Sequence, residues 1–245
     1  MFKKIELYQD TINKLRPFEG EMLKQIRKFY RIGLTWSSNA LEGNSLTESE
    51  TKILIEEGLT VGGRPLKDML EAVAHAKAYD YMFTLLGNKE ILEKDILYFH
   101  KLFYHNIDEK YAGKYRDIPV IITGSNYPVA KVEDIGKEIK VLCKWMNKER
   151  GKYYPVKFAA LLHKRFVFIH PFIDGNGRIA RLLMNTSLIQ DGYLPVLIPP
   201  ILRSDYISLL EKAHKDDQEF INFIGERELE SQKDFLRLLQ IPLPK

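Results

Sequence analysis

Cysteine is nearly absent from this chain. The single one, Cys143, excludes an internal disulfide and suits a reducing compartment, so a cytoplasmic location is expected. No stretch approaches the ~18 apolar residues of a membrane span. The start, Met1-Phe2-Lys3-Lys4-Ile5-Glu6, lacks the apolar centre of a signal peptide. Neither sign of charge dominates: 37 Lys and Arg face 33 Asp and Glu, for a net charge of +4. That mildly favours anionic partners and does not mark a nucleic-acid binder, so neither nucleic acid nor membrane is expected as a partner. Internal repeats, low-complexity tracts and a DNA-binding helix-turn-helix are also missing. What is present is a chain of 245 residues, 45% of them hydrophobic. That is enough for a substantial core in one large domain or two small ones.

The richest stretch is His170-Pro171-Phe172-Ile173-Asp174-Gly175-Asn176-Gly177-Arg178-Ile179-Ala180-Arg181. An apolar helical pattern enters it over residues 158–169 and another leaves it over 179–189. A helix starting here points unpaired N–H groups into the turn, and with its dipole these bind anions. Gly175 and Gly177 let the backbone approach a ligand closely. Arg178 and Arg181, three apart, share a helix face beside that anion site. Asp174 is a hard oxygen donor of the kind that holds Mg²⁺, which normally arrives with substrate phosphates. His170 can take a proton at neutral pH. The implied ligand is a polyphosphate. Each feature alone also has a plain reading, as a structural histidine, a turn or a solvated arginine pair. The joint occurrence favours chemistry.

Two rival patterns overlap this stretch. Residues 175–180 fit the dinucleotide fingerprint G-x-G-x-x-G/A, with 166–169 as a leading strand. However, no acidic residue stands about 20 positions beyond, and alternating strand–helix units are lacking. His163, His170 and Asp174 can be drawn as a metal triad, but the Gly-Asn-Gly-Arg turn is superfluous to one.

The stretch resembles the signature of the Fic family, H-x-F-x-(D/E)-G-N-G-R-x-x-R, and matches it at every specified position. The resemblance implies an α-helical fold and transfer of AMP from Mg-bound ATP to a hydroxyl of a target protein. His170 would deprotonate that hydroxyl and Asp174 would hold Mg²⁺. The Gly175–Gly177 turn with Asn176 would form the anion hole. Arg178 and Arg181 would clamp the β- and γ-phosphates, with Ile179 and Ala180 between them in the ATP site.

Along the chain, residues 1–34 read as two helices broken at Pro17. Trp36 to Asn44 reads as a helix end, with Gly43 at a position tolerating positive φ. A glutamate there, Glu42, opposes the helix dipole and is better placed if a cation meets it. Physics alone favours an exposed capping segment. The resemblance adds a role, because Ser38-x-x-x-Glu42-Gly43 matches the inhibitory motif (S/T)-x-x-x-E-(G/N) of Fic proteins. In it Glu42 would pair with Arg181 and misorient ATP.

Thr47 and Glu50 form a capping box for a helix reaching residue 56. A loop follows over 58–65, then a helix over 66–86 ended by Gly87-Asn88. Asp95 is expected to cap a helix over 96–105, carrying His100 and His105 as surface or partly buried histidines. Residues 111–128, with the β-branched run Val120-Ile121-Ile122-Thr123, read as a small β-hairpin. By resemblance it is the Fic flap. There an extended target segment would pair near Ile121 to Thr123, while Thr123, Gly124, Ser125 and Asn126 would lie near the nucleotide. Helices are expected over 132–147, with Cys143 inert, and from Pro155 to residue 169. Ser204 or Asp205 would cap another helix, whose Tyr206 by resemblance lies near the adenine. Ile207 and His214 stand where relatives often carry Tyr and Asn, and Val129 where they often carry Pro. The last helical pattern runs over 216–239.

The expectation is therefore a mainly α, Fic-type helical bundle with a small β-hairpin flap. It comprises N-terminal helices with the inhibitory segment (1–60), a catalytic core (61–225), and a C-terminal helix and tail (226–245), forming one compact unit. The resemblance covers about residues 30–225. Expected activity is AMP transfer to Ser, Thr or Tyr hydroxyls, itself included. Alternatives are AMP removal using Glu42 and a non-enzymatic nucleotide-binding regulator. A homodimer stays open, as family members often dimerise.

Overall fold

Apolar residues at helical spacing organise the molecule. A computed structural model describes residues 1–87 and 90–244. In α1 (Phe2–Asn13) the side chains of Ile5, Tyr8 and Ile12 fall on one face and are buried. That face packs on α10 (Gln218–Leu238), so the two ends of the chain meet. Pro17 lies between α1 and α2 (Gly20–Ala40), where the break was expected. Thr47 and Glu50 exchange the two bonds of a capping box at α3 (Glu48–Lys52), which widens into a π-helical turn, Ile53–Glu57, ended by Gly58. Then come α4 (Leu66–Met82) with a 3₁₀ turn, Phe83–Leu85, and α5 (Glu93–Tyr104). The chain continues with α6 (Ile135–Glu149), α7 (Pro155–Ile169), α8 (Asn176–Gln190), α9 (Arg203–Lys212) and α10.

The centre is the α7–α8 pair. α8 is enclosed on nearly every side by α2, α4, α5 and α7, and even its polar residues Asn185, Thr186 and Ser187 are buried. One apolar core runs from Ile5 to Leu236. Enclosing α8 fixes its N-terminus, and the turn before it, against a rigid frame. No helix among the described residues is long and apolar enough to cross a membrane.

Four local expectations differ from the structure. Among the described residues there is no strand, so the hairpin over 111–128 is absent. The run 120–122 has no regular secondary structure and no neighbouring strand; a Ser125 N–H to Ile122 carbonyl bond (3.1 Å) closes a turn instead. α5 starts at Glu93 rather than Ile96, because Asp95 caps from inside the helix, accepting from the Leu92 N–H (2.8 Å). α9 starts at Arg203 with neither Ser204 nor Asp205 as cap. α4 gives way to its 3₁₀ turn after Met82, and Asn88, expected to end it, lies outside the described residues. Cys143 is half-buried, and burial pushes its thiol up to about 11, well out of the reactive range.

Candidate active site

The α7–α8 turn is built by side chains that hold backbone. α7 ends at His170, which adopts the left-handed conformation (φ 51°), and Gly175 repeats it at the start of α8 (φ 81°). A side chain at Gly175 would press on the Phe103 ring at 3.1 Å, so the position needs glycine twice over. Asn176 accepts from the Phe172 N–H (2.9 Å) and donates to the Phe172 carbonyl (2.8 Å), locking the loop into a ring. Its side chain is thus spent on the turn, and only its backbone N–H is left for an anion. The first ladder bond of α8 runs from the Ile179 N–H to the Gly175 carbonyl (2.9 Å). The N–H groups of Asn176, Gly177 and Arg178 lie before it and are outside the helix's own ladder. Ile179 and Ala180 are fully buried, and with the ladder already begun they offer the site no group of their own.

His100, expected to be bland, supports this turn. It is fully buried and stacked on Phe172 at 3.8 Å. Its Nδ1 accepts from the Gly113 N–H (3.0 Å), so the proton sits on Nε2, which donates to the Asp174 carbonyl (3.2 Å). Burial holds His100 down to about 4, so it stays neutral in this role.

A cavity of about 300 Å³ opens beside the turn, at the lower end of ligand-site volumes. His170 and Gly177 form one side, Glu42 and Leu41 a second, Ile122 to Ser125 with Tyr127 to Val129 a third, and Tyr206 of α9 with His214 just beyond it the fourth. Burial holds the His170 imidazole down to about 4, leaving it a neutral proton acceptor at pH 7. Of the residues singled out in the sequence, Glu42, Thr123, Gly124, Ser125, His170, Gly177 and Tyr206 line this space. Asn126, Asp174, Gly175, Asn176, Arg178, Ile179, Ala180, Arg181, Ser38 and Gly43 stand outside its wall.

The two arginines are held internally. Arg178 pairs with Glu71 (3.0 Å) and Asp174 (3.2 Å) and lies over the Phe103 ring. Arg181 donates to the Ser38 hydroxyl (2.9 Å), the Ser38 carbonyl (2.8 Å), Glu42 Oε1 (2.7 Å) and the Tyr206 hydroxyl (3.2 Å). Burial raises the Glu42 pKa, but Arg181 and then Arg178 outweigh it and hold the carboxyl below its ordinary value. Gly177 is tight against this pair: a side chain there would collide with the Glu42 carboxylate.

Tyr206 is buried, its hydroxyl shared between Arg181 and His163 Nε2 (2.8 Å). His163 is therefore turned toward Tyr206 and Phe220, not toward His170 and Asp174. No group of three or more metal-ligating side chains occurs among the described residues. The Asp174 side chain is 45% exposed, and its Oδ1 accepts from the Gly175 N–H (2.6 Å) and from Arg178 (3.2 Å).

Three supports had no sequence signal. Glu211 accepts from the Ser125 hydroxyl (2.8 Å) and the Asn126 N–H (2.7 Å), tying the flap loop to α9. His214 is sandwiched between Tyr127 (3.9 Å) and Phe168 (3.6 Å), closing the same side. Arg116 bonds the His170 carbonyl (2.9 Å).

Residues 90–188 match the Fic/DOC family. The chain is 33% identical over 229 residues to "Protein adenylyltransferase Fic" of Nematostella vectensis, covering 92% of this chain and 53% of that protein. With the protein of the same name from Drosophila grimshawi it shares 36% over 194 residues, 78% of this chain and 40% of that one. The chain thus spans about half the length, or less, of these curated relatives. Among solved structures, a Fic domain-containing signaling protein from Bacteroides thetaiotaomicron superposes with a TM-score of 0.87 at 30% identity, covering 94% of this chain and 95% of that one. Fic-1 (residues 134–508) from C. elegans superposes with a TM-score of 0.86 at 27% identity, covering 97% and 72%.

Proposed function

Since this chain belongs to the Fic family, we propose that it transfers AMP from Mg-bound ATP to Ser, Thr or Tyr hydroxyls of proteins, itself included. The observation that carries the reading is that His170 and the α8 N-terminus, through Gly177, face one cavity. His170, neutral at pH 7, accepts the proton of the attacking hydroxyl. The free N–H groups of Asn176, Gly177 and Arg178 and the positive end of the α8 dipole meet the negative charge that develops on phosphate oxygens. Mg²⁺, held through Asp174, supplies further charge neutralisation. The target approaches along the run from Ile121 to Thr123, whose Ile121 is 94% exposed. Outside the Ile122 carbonyl, which the Ser125 N–H takes, backbone there can add a strand, so affinity would come from main-chain bonds.

The same reading makes Glu42 an inhibitor. Its carboxylate occupies Arg181, which a γ-phosphate would otherwise take, and sits against Gly177 where phosphates must approach. A charge-assisted hydrogen bond contributes roughly 1.5–3 kcal/mol, and about 2.7 kcal/mol corresponds to a hundredfold change in occupancy. One carboxylate is therefore enough to suppress most activity. Incubation of purified protein with labelled ATP tests this. Glu42→Gly should raise self-labelling about a hundredfold, and His170→Ala in that background should abolish it while nucleotide still binds. Unchanged or weaker labelling in Glu42→Gly would remove the inhibitory role; labelling that survives His170→Ala would remove the mechanism.

Glu42 also lines the cavity that contains His170, which favours AMP removal as a second reading, with Glu42 orienting water. Release of AMP from a modified protein that depends on Glu42 would select it.

A further inference from the structure

One buried side chain binds the catalytic turn to the flap. Arg116 is 2% exposed and has no carboxylate among its bonded partners. Its three guanidinium nitrogens go to three carbonyls: Nε to His170 (2.9 Å), Nη1 to Ile118 (3.0 Å) and Nη2 to Ala130. Its own N–H donates to the Pro171 carbonyl (2.9 Å). Two of the bonds thus fall on consecutive residues of the α7–α8 turn, and two on the residues that bracket the flap loop. We propose that Arg116 is a positioning residue that sets the His170 imidazole and the target-docking run of the flap as one rigid unit. The proposal rests on the reading of His170 as base and of residues 121–123 as docking edge.

The geometry explains why a cation is buried here without a counter-charge. His170 leaves α7 in a left-handed conformation, so its carbonyl is outside the helix ladder and needs a donor. The flap has no strand partner, so the carbonyls at its two legs need donors as well. A planar fork with several N–H groups serves all three at fixed angles; an ammonium is a point donor and cannot. Arg116 is absent from the cavity wall. The nucleotide side of the site is fixed independently, by Asn176 on Phe172 and His100 on Asp174. Loss of Arg116 should therefore misplace base and acceptor relative to each other while leaving the anion-binding turn in place.

The test uses Arg116→Lys and Arg116→Gln, each combined with Glu42→Gly. Expected is a fall of about a hundredfold in kcat for protein labelling, the scale of an ångström-sized misplacement. The KM for ATP and the calorimetric stoichiometry of ATP binding should stay within about twofold. Lysine, which keeps the charge but not the fork, should rescue little. In parallel, limited chymotrypsin digestion should cut at Tyr127 faster in both variants, because the flap legs are freed. A fall in binding stoichiometry that matches the fall in kcat would overturn the proposal in favour of plain misfolding. Full activity in Arg116→Lys would also overturn it. If Glu42→Gly itself labels nothing, the functional reading fails, and unchanged flap digestion then sinks the Arg116 proposal on its own.

Discussion

Arg178 and Arg181 stand one turn apart on the same face of α8, and both are almost wholly buried. Each meets a carboxylate, yet the two carboxylates differ. Glu71 comes from the middle of α4, is itself 5% exposed, and is held a second time by the Asn44 amide (3.1 Å). Glu42 comes from the segment that ends α2, and its side chain is 34% exposed toward the cavity. Arg181 keeps Ser38 and Tyr206 as partners if Glu42 leaves. Arg178 has no comparable reserve besides Asp174. The same chemical pair is thus structural in one place and removable in the other. Burial of the acid, more than length of the bond, separates the two.

The largest effect that sharpens this contrast is on stability. Removing one partner of a buried ion pair costs about 3–5 kcal/mol, and Glu71→Ala should lose up to that much in chemical denaturation, since Arg178 keeps only the half-exposed Asp174. Glu42→Ala should lose less, roughly 1.5–3 kcal/mol at most, because Arg181 retains Ser38 and Tyr206 as acceptors. Equal losses in the two variants would erase the distinction.

A smaller effect reads the contact between Glu42 and α8. Alanine at Gly177 would collide with the Glu42 carboxylate. Without that carboxylate, alanine in the first turn of a helix gains roughly 0.5–1 kcal/mol over glycine, set against the Arg181 guanidinium 3.1 Å from the added Cβ. Gly177→Ala should therefore destabilise the wild type more than the Glu42→Gly background, a coupling read in a double-mutant cycle. Equal effects in the two backgrounds would mean that Glu42 does not press on the turn.

The contrast also marks what the sequence could reveal. The signature from His170 to Arg181 is contiguous, and its residue types say where a phosphate goes. Helix positions follow from 3–4 spacing, and the Thr47–Glu50 box is local. The supports are not. Arg116 meets His170 across 54 positions and Ser125 meets Glu211 across 86. Such pairs are created by packing and leave no local pattern. For the same reason spacing places Arg178 beside an anion site, and the resemblance makes it a phosphate ligand, while its pairing with Glu71 depends on how α4 lies against α8. The hairpin expectation failed in the opposite direction. Val120 to Thr123 has the composition of a strand, but a strand is defined by its partner, and none of the described residues supplies one.

The smallest expected effect is a null one, and it tests whether acid can open the Glu42 contact. The Glu42 carboxyl is held below its ordinary value of 4.5. A depressed acid contributes fully above the unfolded value and is lost only as pH falls through the lower, folded one. His170, held down to about 4 by burial, likewise stays largely neutral at and above pH 5.5. Basal self-labelling of the wild type should therefore stay flat from about pH 7.5 to 5.5 when corrected for ATP ionisation. Stability limits the range. His75 and His163, at about 3, and His100, at about 4, stay neutral in the fold, but their unfolded forms protonate near 6.5. The unfolded chain then binds more protons, and stability falls as pH drops below that value. A melting curve at each pH separates this loss from any change at the site. A rise in labelling on acidification, with the fold intact, would mean that Glu42 titrates within this range and that its pairing with Arg181 is weaker than the geometry implies.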